Sequence, residues 1–315
     1  MTDFRRVLVV SRSRVDDGVT LTGLACQQLI GHGLIPVLTA EEFAEAKANH
    51  AAFGSGDESQ VYGVEAAKIQ ILGRDCAESD LELAIVLGGD GTILKAAEIV
   101  RAANTPLLGI NLGHVGFLAE GERHELSTLI SRVAAKDYQV TERLALDVSV
   151  LVGGEQVYST WALNEATVEK SSRERMLEVV IEVEGHPLSS FGCDGVVMST
   201  PTGSTAYAFS AGGPVVWPSV EALLMVPLSA HALFSRPLVV NPDSMLAVEV
   251  LRRSAGSGVL WCDGRRTYEL APGSRVEVRR SEQPVRIVRL SDSPFTNRLV
   301  NKFALPVAGW RGPEA

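Results

Sequence analysis

The sequence has no long uninterrupted apolar run, no surplus of basic charge, no close pair of cysteines and no Gly-Lys dipeptide. Each absence closes off a class of function. The most apolar later stretch, GGPVVWPSVEALLMVPL over 212–228, is broken by Pro, Ser and Glu. No segment therefore reads as a bilayer span of ~20 apolar residues. The opening MTDFRRVLVVSRSR turns polar after a short apolar run, without the extended hydrophobic region of a secretory signal. Acidic side chains outnumber basic ones by 38 to 29, a net charge of −9, whereas neutralising a nucleic-acid backbone needs a basic face. A small phosphorylated ligand stays compatible, because one local Arg or Lys cluster is enough for it. Cys26, Cys76, Cys193 and Cys262 stand far apart and never form C-x-x-C. That is the pattern of reduced thiols in a cytosolic protein, not of a metal or disulfide framework. A soluble, cytoplasmic chain with no membrane or nucleic-acid partner is expected. What is abundant is core material: 46% of the 315 residues are hydrophobic and 21% charged, enough for one large domain or two ordinary ones.

The first part alternates strand-like and helix-like segments. RVLVV over 6–10 reads as a buried strand, 20–33 as a helix ending in glycine, and 35–38 as the next strand. Residues 83–87 and 107–110 read as further buried strands, with a helix over 94–102 between them. Strands rich in Val, Ile and Leu that alternate with helices predict a parallel sheet. The stretch 41–80 fits no single pattern, and GSGDES over 54–59 reads as a mobile loop. From about Leu144 the period becomes two: Leu144, Leu146, Val148 and Val150, then Leu177, Val179, Ile181 and Val183. Val248 and Val250, Val276 and Val278, and Val285 and Ile287 repeat the beat. Such alternation between Gly, Pro and Asp turns predicts a mostly antiparallel domain. The expected fold class is α/β plus all-β. An α/β domain with a parallel sheet over 1–138 precedes a β-rich domain over 139–290, and the less regular tail 291–315 packs back on the first.

Between the strand at 83–87 and the helix after it lies AIVLGGDGTIL, 84–94. The carboxyl end of a parallel strand is where open α/β sheets bind ligands. Glycines there let another group approach the main chain, and free N–H groups at a helix N-terminus make a phosphate cradle. Two familiar phosphate motifs do not fit. Leu94 stands where G-x-G-x-x-G requires its last glycine, and the Walker lysine is missing. Asp90 in such a cradle would repel phosphate, so its placement points to general-base work on an alcohol that attacks a phosphoryl group. The bland alternative is a tight turn with a helix-capping aspartate. Gly88-Gly89-Asp90-Gly91-Thr92 resembles the GGDGT motif shared by NAD kinases, diacylglycerol kinases and phosphofructokinases, in which an alcohol receives a phosphoryl group.

CDGVVMSTPTGSTAYAFSAGGPVV, 193–216, narrows the acceptor. Ser199, Thr200, Thr202, Ser204 and Thr205 crowd around Pro201 and Gly203, Tyr207 offers a flat face, and Gly212-Gly213-Pro214 closes the run. Hydroxyls and amides at that density suit a polyhydroxyl or phosphate ligand, with a Ser/Thr-rich surface turn as the alternative. Because the cluster lies between apolar runs, its polar groups need partners, which favours a ligand site. The segment resembles the DG-x-x-x-STPTGSTAY signature of NAD kinases, and ALNEATV over 162–168 resembles that family's NE motif. There an Asn can bond an adenine edge and a carboxylate can accept both hydroxyls of a ribose. With the three motifs in order, the chain is identified as a member of the NAD kinase family.

The resemblance implies a site. Asp90 is the general base for the 2′-hydroxyl of the NAD adenosine ribose, with the Gly91 backbone close to the dinucleotide. Lys95 matches a basic position that faces phosphate, with an ordinary solvated helix lysine as the equal alternative. Asn164 and Glu165 hold the adenosine end, and Asp194 contacts a ribose. Thr205, Ala206, Tyr207, Ala208, Phe209 and Ser210 line the adenine and ribose pocket, and Arg265, in CDGRR, reaches the ligand. Arg175 falls where the family carries a phosphate-facing arginine, with Arg173 a close rival. One departure is Gly192, two residues before Asp194, where several relatives have a basic side chain. The resemblance further implies ATP as donor (or inorganic polyphosphate), NAD as acceptor, a divalent metal such as Mg²⁺, and a homodimer or homotetramer. No metal-ligand cluster is visible in the sequence, as for a metal held mostly by phosphate and water. His114, in GINLGHVGFL, reads as a loop residue and not as a base. The rival readings are a lipid kinase of the diacylglycerol class, which shares only the first motif and needs membrane affinity, and a dinucleotide sensor that lost the chemistry.

Overall fold

Runs of Val, Leu and Ile without polar interruption form strands that must be covered on both faces, whereas alternating runs need cover on one. Both kinds occur here, and they fold apart. The computed structural model describes residues 4–11, 18–53, 60–61, 64–113, 116–290 and 293–307; GSGDES and His114 lie outside them. The chain divides into two units, Met1–Glu142 with Val285–Ala315, and Arg143–Pro284. The α-helices among the described residues are α1 (Gly18–Gly31), α2 (Ala40–Phe53), α3 (Asp90–Val100), α4 (Leu126–Ala134), α5 (Tyr207–Ser210) and α6 (Phe295–Phe303).

In the first unit the sheet runs Gln70–Ile71, Ile35–Leu38, Arg6–Ser11, Leu81–Leu87, Leu107–Asn111, Val285–Arg289 and Gln139–Arg143, with Gly121–Glu122 also on Leu107–Asn111. The pairs from Gln70–Ile71 through Val285–Arg289 are parallel. Val7, Val9, Leu83, Ile85 and Leu108 meet Leu29 of α1 and Ile130 of α4 in one core. The stretch 41–80 contains most of α2 and the edge strand.

Two expectations need correction. Val285–Arg289 does not join the antiparallel strands; it lies parallel to Leu107–Asn111, with Ile287 opposite Leu107. Alternation reports how a strand's faces are covered and is blind to which sheet it enters. The helix expected over 94–102 begins at Asp90, with Gly89 as its N-cap. Glycine's low helix propensity concealed that first turn.

The second unit holds two antiparallel six-stranded sheets. One is ordered Glu155–Ala162, Leu146–Val152, Ser274–Arg280, Leu246–Val250, Leu177–Val183, His186–Cys193; the other Leu238–Val240, Leu223–Leu228, Gly195–Ser199, Glu165–Lys170, Gly258–Cys262, Arg266–Leu270. Val148, Val179 and Val276 of the first meet Val168, Val196 and Leu260 of the second in a common core, as expected for two sheets packed through their apolar faces. No helix among the described residues is long and apolar enough to cross a membrane.

Candidate active site

Strand Leu81–Leu87 runs into two glycines, and α3 opens at Asp90. The carboxylate therefore sits at the positive end of a helix dipole. It does not cap the helix, since α3 has no side-chain cap. Its oxygens face a neighbouring loop instead: the Phe117 N–H donates to Oδ2 and the Leu118 N–H to Oδ1, each at 3.1 Å. Gly116 keeps that approach possible, because a Cβ there would strike the Asp90 carboxylate. A Cβ on Gly89 or Gly91 would meet nothing within 4 Å, so the main chain on both sides of Asp90 is open. Lys95, one turn along α3, pairs with Glu41 of α2 at 3.6 Å.

In the second unit, Leu163 and Asn164 turn the chain from strand Glu155–Ala162 into strand Glu165–Lys170. The buried Asp263 carboxylate takes the Leu163 N–H at 2.9 Å and the Asn164 N–H at 2.7 Å. Arg266 pairs with Asp263 at 2.7 Å and lies 4.4 Å over the Trp161 ring. Opposite the turn, Ser199 Oγ donates to the Asn164 carbonyl at 3.0 Å and Thr200 Oγ1 to the Leu163 carbonyl at 2.6 Å. Gly203 packs so closely that a Cβ would run into the Asn164 carbonyl. Ser204 Oγ bonds Pro201 and Val216, and Thr205 Oγ1 donates to the Thr202 carbonyl. The hydroxyls of Ser199, Thr200 and Ser204 thus satisfy the protein's own backbone. Buried hydroxyls need partners, and these find them in the turns they shape.

Glu165 differs. It is 7% exposed, the Tyr207 N–H donates to its carboxylate, and Oε2 is buried with no protein partner. Burial, and secondarily the Asp263 carboxylate, pushes its pKa up to about 8. The Tyr207 phenol is also pushed up, by burial and then by the Glu169, Glu165 and Asp194 carboxylates. Asp194 bonds Lys170 Nζ at 2.5 Å, and that ammonium holds its carboxyl below the usual carboxylate range. In the Thr205–Ser210 segment Thr205 and Ala206 are half-buried, while Tyr207, Phe209 and Ser210 are exposed. The Ala208 methyl instead packs inward on Val197 and Val226. Arg175 is exposed and donates to the Ala255 carbonyl at 2.8 Å; Arg173 and Arg265 are exposed as well. The slot at Gly192 is filled by Met176, whose sulfur a Cβ would strike.

Residues 7–138 match the family model described as the ATP-NAD kinase N-terminal domain, and residues 163–290 match the ATP-NAD kinase C-terminal domain. The chain belongs to the NAD kinase family. An NAD kinase of Leifsonia xyli is 59% identical over 310 residues, covering 98% of both chains. An NAD kinase of Mycobacterium bovis is 47% identical over 99% of this chain and 100% of its own. Two solved structures share the fold. A yeast NADH kinase complexed with NADH has a TM-score of 0.79 at 21% identity, covering 97% of this chain and 89% of its own. An Archaeoglobus fulgidus NAD kinase in complex with ATP has a TM-score of 0.65 at 23% identity, covering 95% and 98%. The chain is an enzyme with NAD kinase function.

Three local features, each within one unit, escape a reading of this NAD kinase's sequence. The loop N–H groups of Phe117 and Leu118 carry no side-chain signal at all. Lys170, which bonds Asp194, looks like any strand-end lysine. Asp263 did leave a trace. In CDGRR, Asp263 and Gly264 both have positive φ (54° and 64°), and the Arg265 N–H bonds the Cys262 carbonyl. Asp-Gly is a favoured dipeptide for such a hairpin turn, and the turn delivers the carboxylate to Leu163 and Asn164.

Proposed function

We propose that the chain transfers the γ-phosphoryl group of ATP to the 2′-hydroxyl of the adenosine ribose of NAD, giving NADP and ADP, with Asp90 as general base. The observation that carries this reading is the setting of Asp90: it opens a helix without capping it, between two unobstructed glycines, with each oxygen held by one N–H. Lone pairs remain on both oxygens, one of which takes the hydroxyl proton as the ribose oxygen bonds to phosphorus and the bond to ADP breaks. The transition state of such a transfer is loose, so positioning and charge stabilisation dominate. Asn164 and Glu165 hold the adenosine end; a ribose hydroxyl or adenine amino group would give Glu165 Oε2 the donor it lacks. Asp194 takes a ribose hydroxyl, and Thr205 to Ser210 flank the base and sugar. Lys95 exchanges Glu41 for phosphate, with Arg175 and Arg265 as further cations.

The divalent cation is part of the substrate on this reading: Mg²⁺ chelated by the ATP phosphates, neutralising charge on the departing ADP. Among the described residues no group of three His, Cys, Asp or Glu is gathered for a metal ion. The assembly is a homodimer or homotetramer, supported by exposed Trp217, Val220, Leu233, Phe234 and Val239 in the second unit. A cytoplasmic location is supported by four free, buried cysteines.

Purified protein given NAD, ATP and Mg²⁺ is expected to form NADP. Asp90→Asn should retain NAD binding and lose about 10²- to 10⁴-fold in turnover. Near-normal turnover in that variant removes Asp90 from the role. Polyphosphate in place of ATP, and diacylglycerol in place of NAD, test donor and acceptor.

A further inference from the structure

We propose that Arg298, on the C-terminal helix α6, is a positioning residue for Asp90 and acts through the peptide group that joins Phe117 to Leu118. The inference rests on Asp90 being the general base. The N–H of that peptide donates to Asp90 Oδ1 at 3.1 Å, and its carbonyl accepts from Arg298 Nη1 at 2.8 Å. One rigid planar unit therefore carries a guanidinium at its oxygen end and a carboxylate at its nitrogen end. Hydrogen bonds linked through a shared polar group strengthen one another, so the cation both fixes the peptide plane and sharpens the donor that faces Asp90.

The grip is wider than one bond. Arg298 Nη1 also donates to the Ala119 carbonyl at 2.9 Å, while Nη2 pairs with Glu120. The Glu120 side chain is fully buried and in turn binds Arg289 Nε at 2.9 Å and the Leu290 N–H at 3.3 Å. The Phe117 ring lies 5.9 Å from Phe295 and 5.9 Å from Phe303, the two ends of α6. Both donors to Asp90 thus belong to a loop whose ring, carbonyls and neighbouring carboxylate are held by the last helix. No interaction of this kind is needed merely to bury α6, which has Leu299 for that purpose. A planar fork can span two carbonyls and a carboxylate at once; an ammonium holds them less rigidly.

The test is a double-mutant cycle read in kcat and in KM for each substrate. Arg298→Met is paired with Glu120→Gln, so that both members of that ion pair are neutralised together while Arg289 keeps its bond to the Ser293 carbonyl, and thermal unfolding verifies the fold. Arg298→Lys, which keeps the charge facing Glu120, provides the same comparison should the apolar pair not fold. The Met/Gln protein is expected to keep both KM values within about twofold and to lose roughly 10- to 100-fold in kcat, the scale of a small misplacement of a reacting group. Arg298→Lys should recover part of that loss. Added to Asp90→Asn, the changes should cost little more than Asp90→Asn alone, because residues acting as a unit are not additive. Losses that multiply independently, or an unchanged kcat in a folded Arg298 variant, overturn the inference. Near-normal turnover in Asp90→Asn overturns the general-base reading instead, so the two failures are distinguishable.

Discussion

Replacing Glu165 with Gln is expected to remove a pH-dependent loss of stability from the ligand-free protein. The carboxyl is 7% exposed and titrates at about 8 instead of the ordinary 4.5. Between those values the folded protein keeps a proton that the unfolded chain has released, so stability falls as pH rises through the window and levels off above it. The slope for one such group is a little over ~1 kcal/mol per pH unit, roughly 2 kcal/mol from pH 6 to pH 8 because the group is half ionised at the upper end, with ~5 kcal/mol over the whole window as the upper limit. Gln has the same shape and can still accept the Tyr207 N–H, but it cannot acquire the buried charge. Asp263, Arg266 and Glu169 are present in both proteins, so their titration largely cancels in the comparison. With roughly 2–4 °C of melting temperature per kcal/mol for a unit of this size, the gap in favour of the Gln variant should widen by about 2–5 °C per pH unit from pH 6 to pH 8. Thermal melts at pH 5, 6, 7, 8 and 9 without nucleotide measure it. A gap that stays constant over that range would refute the burial argument.

Two further substitutions probe the turn that carries Asn164. Asp263→Asn keeps a dipeptide favoured in the hairpin turn but gives up the anionic acceptor of the Leu163 and Asn164 N–H groups and the partner of Arg266. A charged hydrogen bond is worth about 1.5–3 kcal/mol, so KM for NAD should rise about tenfold or more with kcat less affected; an unchanged KM would separate this carboxylate from ligand binding. Gly203→Ala forces a methyl group into the Asn164 carbonyl and should destabilise the protein by about 1–3 kcal/mol. A melting temperature equal to that of the parent chain would show that the turn yields.

The legible parts of this NAD kinase are those written in local patterns. RVLVV and LELAIVL are buried on nearly every residue, so their composition alone announces strands of a covered sheet. The two-residue beat over Leu146–Val152 and Leu177–Val183 follows from sheets that face a core on one side. In both, the environment of a residue follows from its position along its own strand. The beat at Val285 misled because it says nothing about partners ~180 residues away along the chain, where Leu107 waits. The hydroxyls of STPTGS were legible as a cluster that needs partners, but not as one in which Ser199, Thr200 and Ser204 find them in backbone carbonyls. A Ser or Thr side chain looks the same in sequence whether it faces a ligand or folds back on a carbonyl.

By itself the sequence determined the parallel and antiparallel halves, the aspartate between glycines and the three motifs of the family, because each depends on residue types within a few positions of one another. The tertiary structure alone decided what holds those motifs in place. Asp90 is gripped by N–H groups 27 and 28 residues away, Asn164 by a carboxylate 99 away, and the Phe117 carbonyl by an arginine 181 away. Backbone donors and acceptors are common to every residue, so no spacing in the chain can mark which of them will meet; only the closing of the fold brings them within bonding distance.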